Sequence, residues 1–262
     1  MTIKQACIAV GKGVIDSLYF LGGLSNLTGQ TLYCMVTPPF KRSRLFEQAK
    51  KAGLDSLGIV ALVALFIGFI FALQTAYFMQ RIGSELYIAS LVALSIVREL
   101  GPVITALVVA GRVGAAITAE LGSMQVTEQI DALEAFATNP IKYLVVPRFL
   151  ALSVTLPLLV FYADVIGIFG SYLICVFKLG IPSSLYINTT FDALVRKDIY
   201  TGLFKSVIFG MVIALVSCYE GFNVQGGAEG VGKATTNAVV KTFIMIIAAD
   251  CFFTALFYFI FP

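Results

Sequence analysis

Five stretches of this chain are long and apolar enough to fill the hydrocarbon of a bilayer, and nothing else in the sequence constrains its fold as strongly. A helical crossing takes about 20 apolar residues. Lipid offers the backbone no hydrogen-bond partner, so a crossing segment must be a helix or part of a closed barrel. Residues 56–80 carry no charge, and 86–111 are interrupted only by Arg98 and Glu99. Residues 149–177 hold Asp164, 199–219 hold Lys205, and 242–262 hold Asp250. The expectation is an all-α integral membrane protein with five transmembrane helices, forming one domain over 1–262.

Composition narrows the chemistry. The chain is 59% hydrophobic and 13% charged, with a mean hydropathy of +0.93; a soluble domain carries roughly 25% charge. A net charge of +3 gives no basic face of the kind nucleic acid needs. There is no histidine, which removes Ser-His-Asp and Cys-His catalysis and any histidine metal site. Cys7, Cys34, Cys175, Cys218 and Cys251 stand apart without CxxC spacing; they read as small apolar fillers. Met1 to Asp16 has no compact apolar run before a cleavage site, unlike a signal peptide. No catalytic residue, metal or cofactor is assigned.

Residues 1–52 read as an interfacial and cytoplasmic segment. Ile3, Cys7, Val10, Val14, Leu18 and Leu21 recur at helical spacing, with Lys4, Gln5, Lys12 and Asp16 elsewhere on the wheel. That suits a helix lying in the interface; the rival is a sixth span through 14–36. Residues 22–37 are only weakly apolar, and Pro38-Pro39 breaks the helix. Lys41, Arg42, Arg44, Lys50 and Lys51 then form a flank for anionic headgroups. Lys and Arg placement sets orientation. Twelve fall on one side: these five with Lys4 and Lys12, then Arg112, Lys142 and Arg148, then Lys233 and Lys241. Four fall on the other: Arg81, Lys178, Arg196 and Lys197. The N-terminus is therefore expected in the cytoplasm and Pro262 outside.

Gly227-Ala-Glu-Gly-Val-Gly232-Lys233 matches seven positions of a P-loop, but the eighth is Ala234 where Ser or Thr must hold Mg²⁺. It follows a membrane run rather than a buried strand, so its glycines read as shaping a tight turn. The region 98–148 says more. Gly111, Ala115, Ala119 and Ser123 recur every fourth residue, a spacing that lets helix backbones approach closely, within the chain or between two copies. Residues 123–139 form an amphipathic pattern. Val126, Ile130, Leu133 and Ala137 fall on one face and Glu128, Asp131 and Glu134 on the other. Acidic residues suit anionic lipid poorly and a basic protein groove well.

Arg98-Glu-Leu-Gly-Pro102, Ala110-Gly-Arg-Val-Gly114, Thr118-Ala-Glu-Leu-Gly122, Val126-Thr-Glu-Gln-Ile-Asp-Ala-Leu-Glu134 and Tyr143-Leu-Val-Val-Pro-Arg148 closely resemble the signature region of the MlaE-type permease family, the membrane subunits of MCE-associated ABC transporters. The resemblance covers nearly the whole chain, including Gly226-Gly-Ala-Glu-Gly-Val-Gly232. It departs where the family pattern has Met-Gly-Val-Asp before the proline and this chain has Phe136-Ala-Thr-Asn139. The resemblance implies a phospholipid transporter of the bacterial inner membrane, with relatives also in plastid envelopes. Its partners would be a second copy of the chain, ABC ATPase subunits, an MCE-domain protein outside and a STAS-domain subunit. Residues 123–139 match the family's coupling helix. Glu128, Gln129 and Asp131 are thereby implied as ATPase contacts, with Glu134 on the same face.

Charges at membrane depth cost roughly 2.5–3.5 kcal/mol each on insertion scales. Arg98 and Glu99 lie about 100° apart on a helix, so each is expected to pair elsewhere. Two readings stand for Arg98, Glu99 and Lys205: a polar cavity for a lipid headgroup, with Arg98 on the phosphate, or ion pairs that hold the bundle together. Ion pairing is the reading for Asp164 and Asp250, and Lys205 is expected to snorkel from a helix end. The rival function is an ion- or proton-coupled secondary transporter that relays through Asp164, Asp250 and Glu99.

Overall fold

The computed structural model describes residues 3–36 and 42–260. Pro38, Pro39, Lys41 and Pro262, which entered the helix-break and topology readings, lie outside the described residues. Those described are helical with no strand among them, and five helices are long and apolar enough to cross a membrane. In chain order the helices are α1 (Ile3–Val36), α2 (Arg42–Ala52), α3 (Leu57–Arg81), α4 (Ile88–Val126), α5 (Gln129–Ala135), α6 (Ile141–Phe177), α7 (Ser183–Ala193), α8 (Arg196–Phe222) and α9 (Gly227–Ile260). The crossing helices are α3, α4, α6, α8 and α9. The first helix lies outside that set of five.

Several boundaries differ from the sequence reading, each for a local reason. Residues 22–36 continue α1, because Ser25, Thr28 and Thr31 donate to the carbonyls of Leu21, Leu24 and Leu27 at 2.7–2.8 Å. Side chains that bond back one turn hide their polarity from the surroundings. The second crossing runs past Gly111 to Val126. Arg112 does not end it, since its guanidinium donates to the buried Ser56 hydroxyl at 2.7 Å. Likewise Lys142 and Arg148 lie within α6, and Lys233 and Lys241 within the first turns of α9, rather than in loops. The expected 123–139 helix is shorter: residues up to Val126 complete α4, and α5 begins at Gln129.

At about 1.5 Å per residue, the 39 residues of α4 and 37 of α6 reach roughly 58 and 55 Å, against a hydrocarbon thickness of about 30 Å. Their apolar portions end level on one side: Ile88 and Ala89 share a cluster with Cys175, joined by Leu179. Both helices therefore overshoot at the same end, and α5 bridges their tips. Three π-helical turns interrupt these two helices, at Ile96–Leu100, Ala110–Gly114 and Ile141–Val145. Where α8 crosses the first of them, a Cβ on Gly202 would strike the Val97 carbonyl oxygen, so backbone meets backbone there as small residues permit in membranes.

Gly202→Val should therefore destabilise the folded protein by at least 1–3 kcal/mol, the usual cost of overpacking. Gly232→Ala, where a Cβ meets nothing within 4 Å, should change little. Thermal unfolding in detergent compares them; equal melting of the two variants would refute the crossing described.

Candidate functional site

A charged node sits at the first π turn. Lys205 on α8 is only 2% exposed, so it does not snorkel as the sequence reading expected. Its ammonium donates to Glu99 Oε2 at 2.7 Å, Asp250 Oδ1 at 2.9 Å and Thr254 Oγ1 at 2.6 Å. A longer contact reaches the Arg98 carbonyl at 3.3 Å. The Thr254 hydroxyl also lies 3.2 Å from both Glu99 oxygens. Asp250 and Thr254 are one turn apart on α9, so three helices contribute. A buried cation with two carboxylates and a hydroxyl has its three protons satisfied.

Arg98 pairs elsewhere, as the 100° spacing requires. Its Nε lies 3.6 Å from Asp198 Oδ1, and its side chain is 44% exposed. At that distance the pair is electrostatic rather than a hydrogen bond. Asp198 is fixed independently, because its Oδ2 accepts the Val195 N–H at 3.2 Å. Asp164 joins neither pair, contrary to the ion pairing expected of it. It is buried, its Oδ1 has no hydrogen-bond partner among the described residues, and it rests against Gly101.

Beside the node, α6, α8 and α9 enclose an open groove of about 690 Å³. Pro157, Tyr200, Leu203, Phe204, Val207 and Phe257 line it, with Lys197 on its wall. Phe204 packs edge-on against Phe253 and Phe257, at 5.6 and 5.9 Å between ring centroids. The groove is apolar while the next residue along α8, Lys205, belongs to the node.

The second site is the tip carried by α5. Among the described residues, the two non-glycine residues with positive φ are Glu128 (58°) and Ala137 (53°), and they bracket this helix. Such strain collects where structure is held for function. Ala137 completes a Schellman cap: its N–H donates to the Glu134 carbonyl at 2.9 Å and that of Thr138 to Leu133 at 2.9 Å. Asn139 then caps α6, its Oδ1 accepting from Ile141 at 2.9 Å and Lys142 at 3.2 Å, with Pro140 at the first helical position. Ile130 is buried in the main core and Leu133 packs against it. Glu128, Gln129, Asp131 and Glu134 are all exposed. Asp131 and Glu134 also line a cleft of about 610 Å³ with Gln30, Gln125, Asn139 and Phe222.

The legs of the tip are braced. Arg148, buried on α6, pairs with Glu120 on α4 at 2.9 Å. Arg44 on α2 stacks over the Tyr143 ring and donates to its hydroxyl. Lys241 pairs with Glu220 at 2.7 Å. The sequence reading missed Arg148–Glu120, Arg44–Tyr143, Asp198 and Thr254. It placed Arg148 in a loop, and no spacing signal links residues of different helices.

Five crossings around a paired charge node, joined at one end by a polar tip, define a multi-pass membrane protein. Residues 45–256 match the Permease MlaE family. A probable ABC transporter permease protein of Rickettsia prowazekii is 43% identical over 258 residues, 98% of this chain and 99% of that protein. Another, from Synechocystis sp., is 38% identical over 86% of each chain. The Arabidopsis thaliana protein TRIGALACTOSYLDIACYLGLYCEROL 1, chloroplastic, is 36% identical over 92% of this chain and 70% of that one. The chain belongs to the MlaE permease family and is an ABC transporter permease subunit.

Removing one member of a buried ion pair leaves an unpaired charge, typically at a cost of 3–5 kcal/mol. Lys205→Leu should lower the melting temperature in detergent sharply. Adding Glu99→Gln and Asp250→Asn should restore most of it. A single variant as stable as the parent would show that the node contributes nothing to folding.

Proposed function

We propose that this permease moves phospholipid between membranes. The supporting observation is the juxtaposition on α8 and α9 of a charged node and an apolar groove, which suits a molecule with an ionic head and acyl chains. Arg98 is the phosphate ligand in this reading. It is the half-exposed cation, and its 3.6 Å contact with Asp198 is loose enough for a better-matched oxyanion to displace. Arg binds phosphate through a planar fork of donors. The name of the Arabidopsis relative is that of a diacyl glycolipid, which favours lipid cargo. A proton relay through Glu99, Asp164 and Asp250 gains no support, because Asp164 stands outside the node.

Energy comes from ATP hydrolysed in separate ATPase subunits. They grip α5 through Glu128, Gln129, Asp131 and Glu134, and their closure reshapes the lipid cavity; the lipid must bind the two states differently for this to drive transport. Two copies of the chain pair. The exposed Gly111 and Ser123 and the partly exposed Ala115 and Ala119 leave one side of α4 open to a close helix contact. An MCE-domain protein sits on the outer side and a STAS-domain subunit joins the cytoplasmic one. The membrane is the bacterial inner membrane, with the N-terminus inside and the C-terminus in the periplasm, as the Lys and Arg asymmetry favours.

Two measurements test this reading. Arg98→Ala should cut phospholipid affinity by about tenfold or more, since a hydrogen bond to a charged group contributes roughly 1.5–3 kcal/mol, while subunit assembly is unchanged. Co-purified phospholipid is the readout; normal lipid content with normal transport in Arg98→Gln would remove Arg98 from the site. Glu128→Lys with Asp131→Lys should weaken ATPase co-purification and abolish transport, because reversed charges meet the partner's basic groove. Undiminished ATPase capture by that double variant would place the coupling surface elsewhere.

A further inference from the structure

We propose that Phe136 is the anchor of the tip: its ring enters an apolar pocket on the ATPase subunit, within the basic rim that receives the acidic residues of α5. The inference rests on the reading of α5 as the coupling helix and names the residue that carries the attachment.

Phe136 is 82% exposed, directly after the last residue of α5. Exposed aromatic rings on the crossing helices belong to apolar spans, where lipid can cover them. Phe136 differs by position. From their level ends, α4 and α6 run roughly 25 Å beyond the hydrocarbon at 1.5 Å per residue, which carries the tip past the inner headgroups into water. Glu128, Asp131 and Glu134 are exposed on the same short segment, so the tip carries negative charge, unfavourable against an anionic leaflet and favourable against a basic protein groove.

The backbone that carries the ring is also held. The Phe136 N–H donates to the Ala132 carbonyl at 3.1 Å, and the Schellman bonds of Ala137 and Thr138 fix the backbone on its other side. Ile130 and Leu133 hold the helix to the core. Ala132 and Ala135 are exposed and small, so a partner surface can approach closely. An aromatic side chain amid polar neighbours is the usual form of an interface hot spot, and a fixed backbone lowers the ordering cost of seating it.

The chain has no tryptophan, so Phe136→Trp gives a single indole reporter. In the permease reconstituted with brominated phospholipid, its emission should resist quenching. On addition of the ATPase subunit it should shift to the blue. Quenching by the lipid, or no shift on ATPase binding, overturns the proposal. Phe136→Ala should weaken ATPase binding about tenfold or more at both low and high salt, and Phe136→Leu should retain most of it. Binding of Phe136→Ala within twofold of the parent also overturns it. If the charge-reversed Glu128 and Asp131 variant loses the ATPase while Phe136→Ala does not, the anchor alone is wrong. If the parent chain captures no ATPase, the coupling reading fails as well.

Discussion

A lysine ammonium inside an apolar phase must be answered by anions, and Lys205 takes its two from two other helices. That requirement organises the bundle. Glu99 must present its carboxylate from α4 and Asp250 from α9, with Thr254 completing the coordination. The register of three crossings is thereby fixed at one level. Breaking one contact strands a charge at depth, where translocation scales alone assign about 2.5–3.5 kcal/mol. The close backbone approach of Gly202 to Val97 serves the same end, since it brings α8 near enough for the ammonium to reach the π turn.

The crossings were legible because a run such as 56–80 carries no charge, and no soluble fold needs that. What could not be read was how charges cancel between distant residues. Arg112 looked like a loop residue until Ser56 supplied its acceptor, and Arg148 until Glu120 did. The same blindness placed Lys205 at a helix end and gave Asp164 an ion pair. The acidic face of the tip was visible in the 3.6-residue period of Glu128, Asp131 and Glu134. Its exact length was not, because the residues that bound it in left-handed backbone, Glu128 and Ala137, are not glycine. At Ala137 the family pattern has glycine, which takes that conformation without a steric penalty, and this chain has alanine there at φ 53°.

The node and the tip differ in physical character yet share a scaffold. Glu99 and the acidic residues of α5 are joined through a single long helix, α4, and the Arg148–Glu120 pair ties that helix to α6 before the tip begins. A displacement of the tip is thus delivered to two crossings together rather than to one.

How those crossings yield is set by the π-helical turns. A π turn carries an extra residue outside the α-helical hydrogen-bond ladder, and sharp bends concentrate at such places. In α4 two of them enclose Gly101–Val109, an α-helical segment of nine residues. Bending of α4 is therefore expected at those two turns, one of them beside Lys205, with the nine-residue link between them turning as a unit.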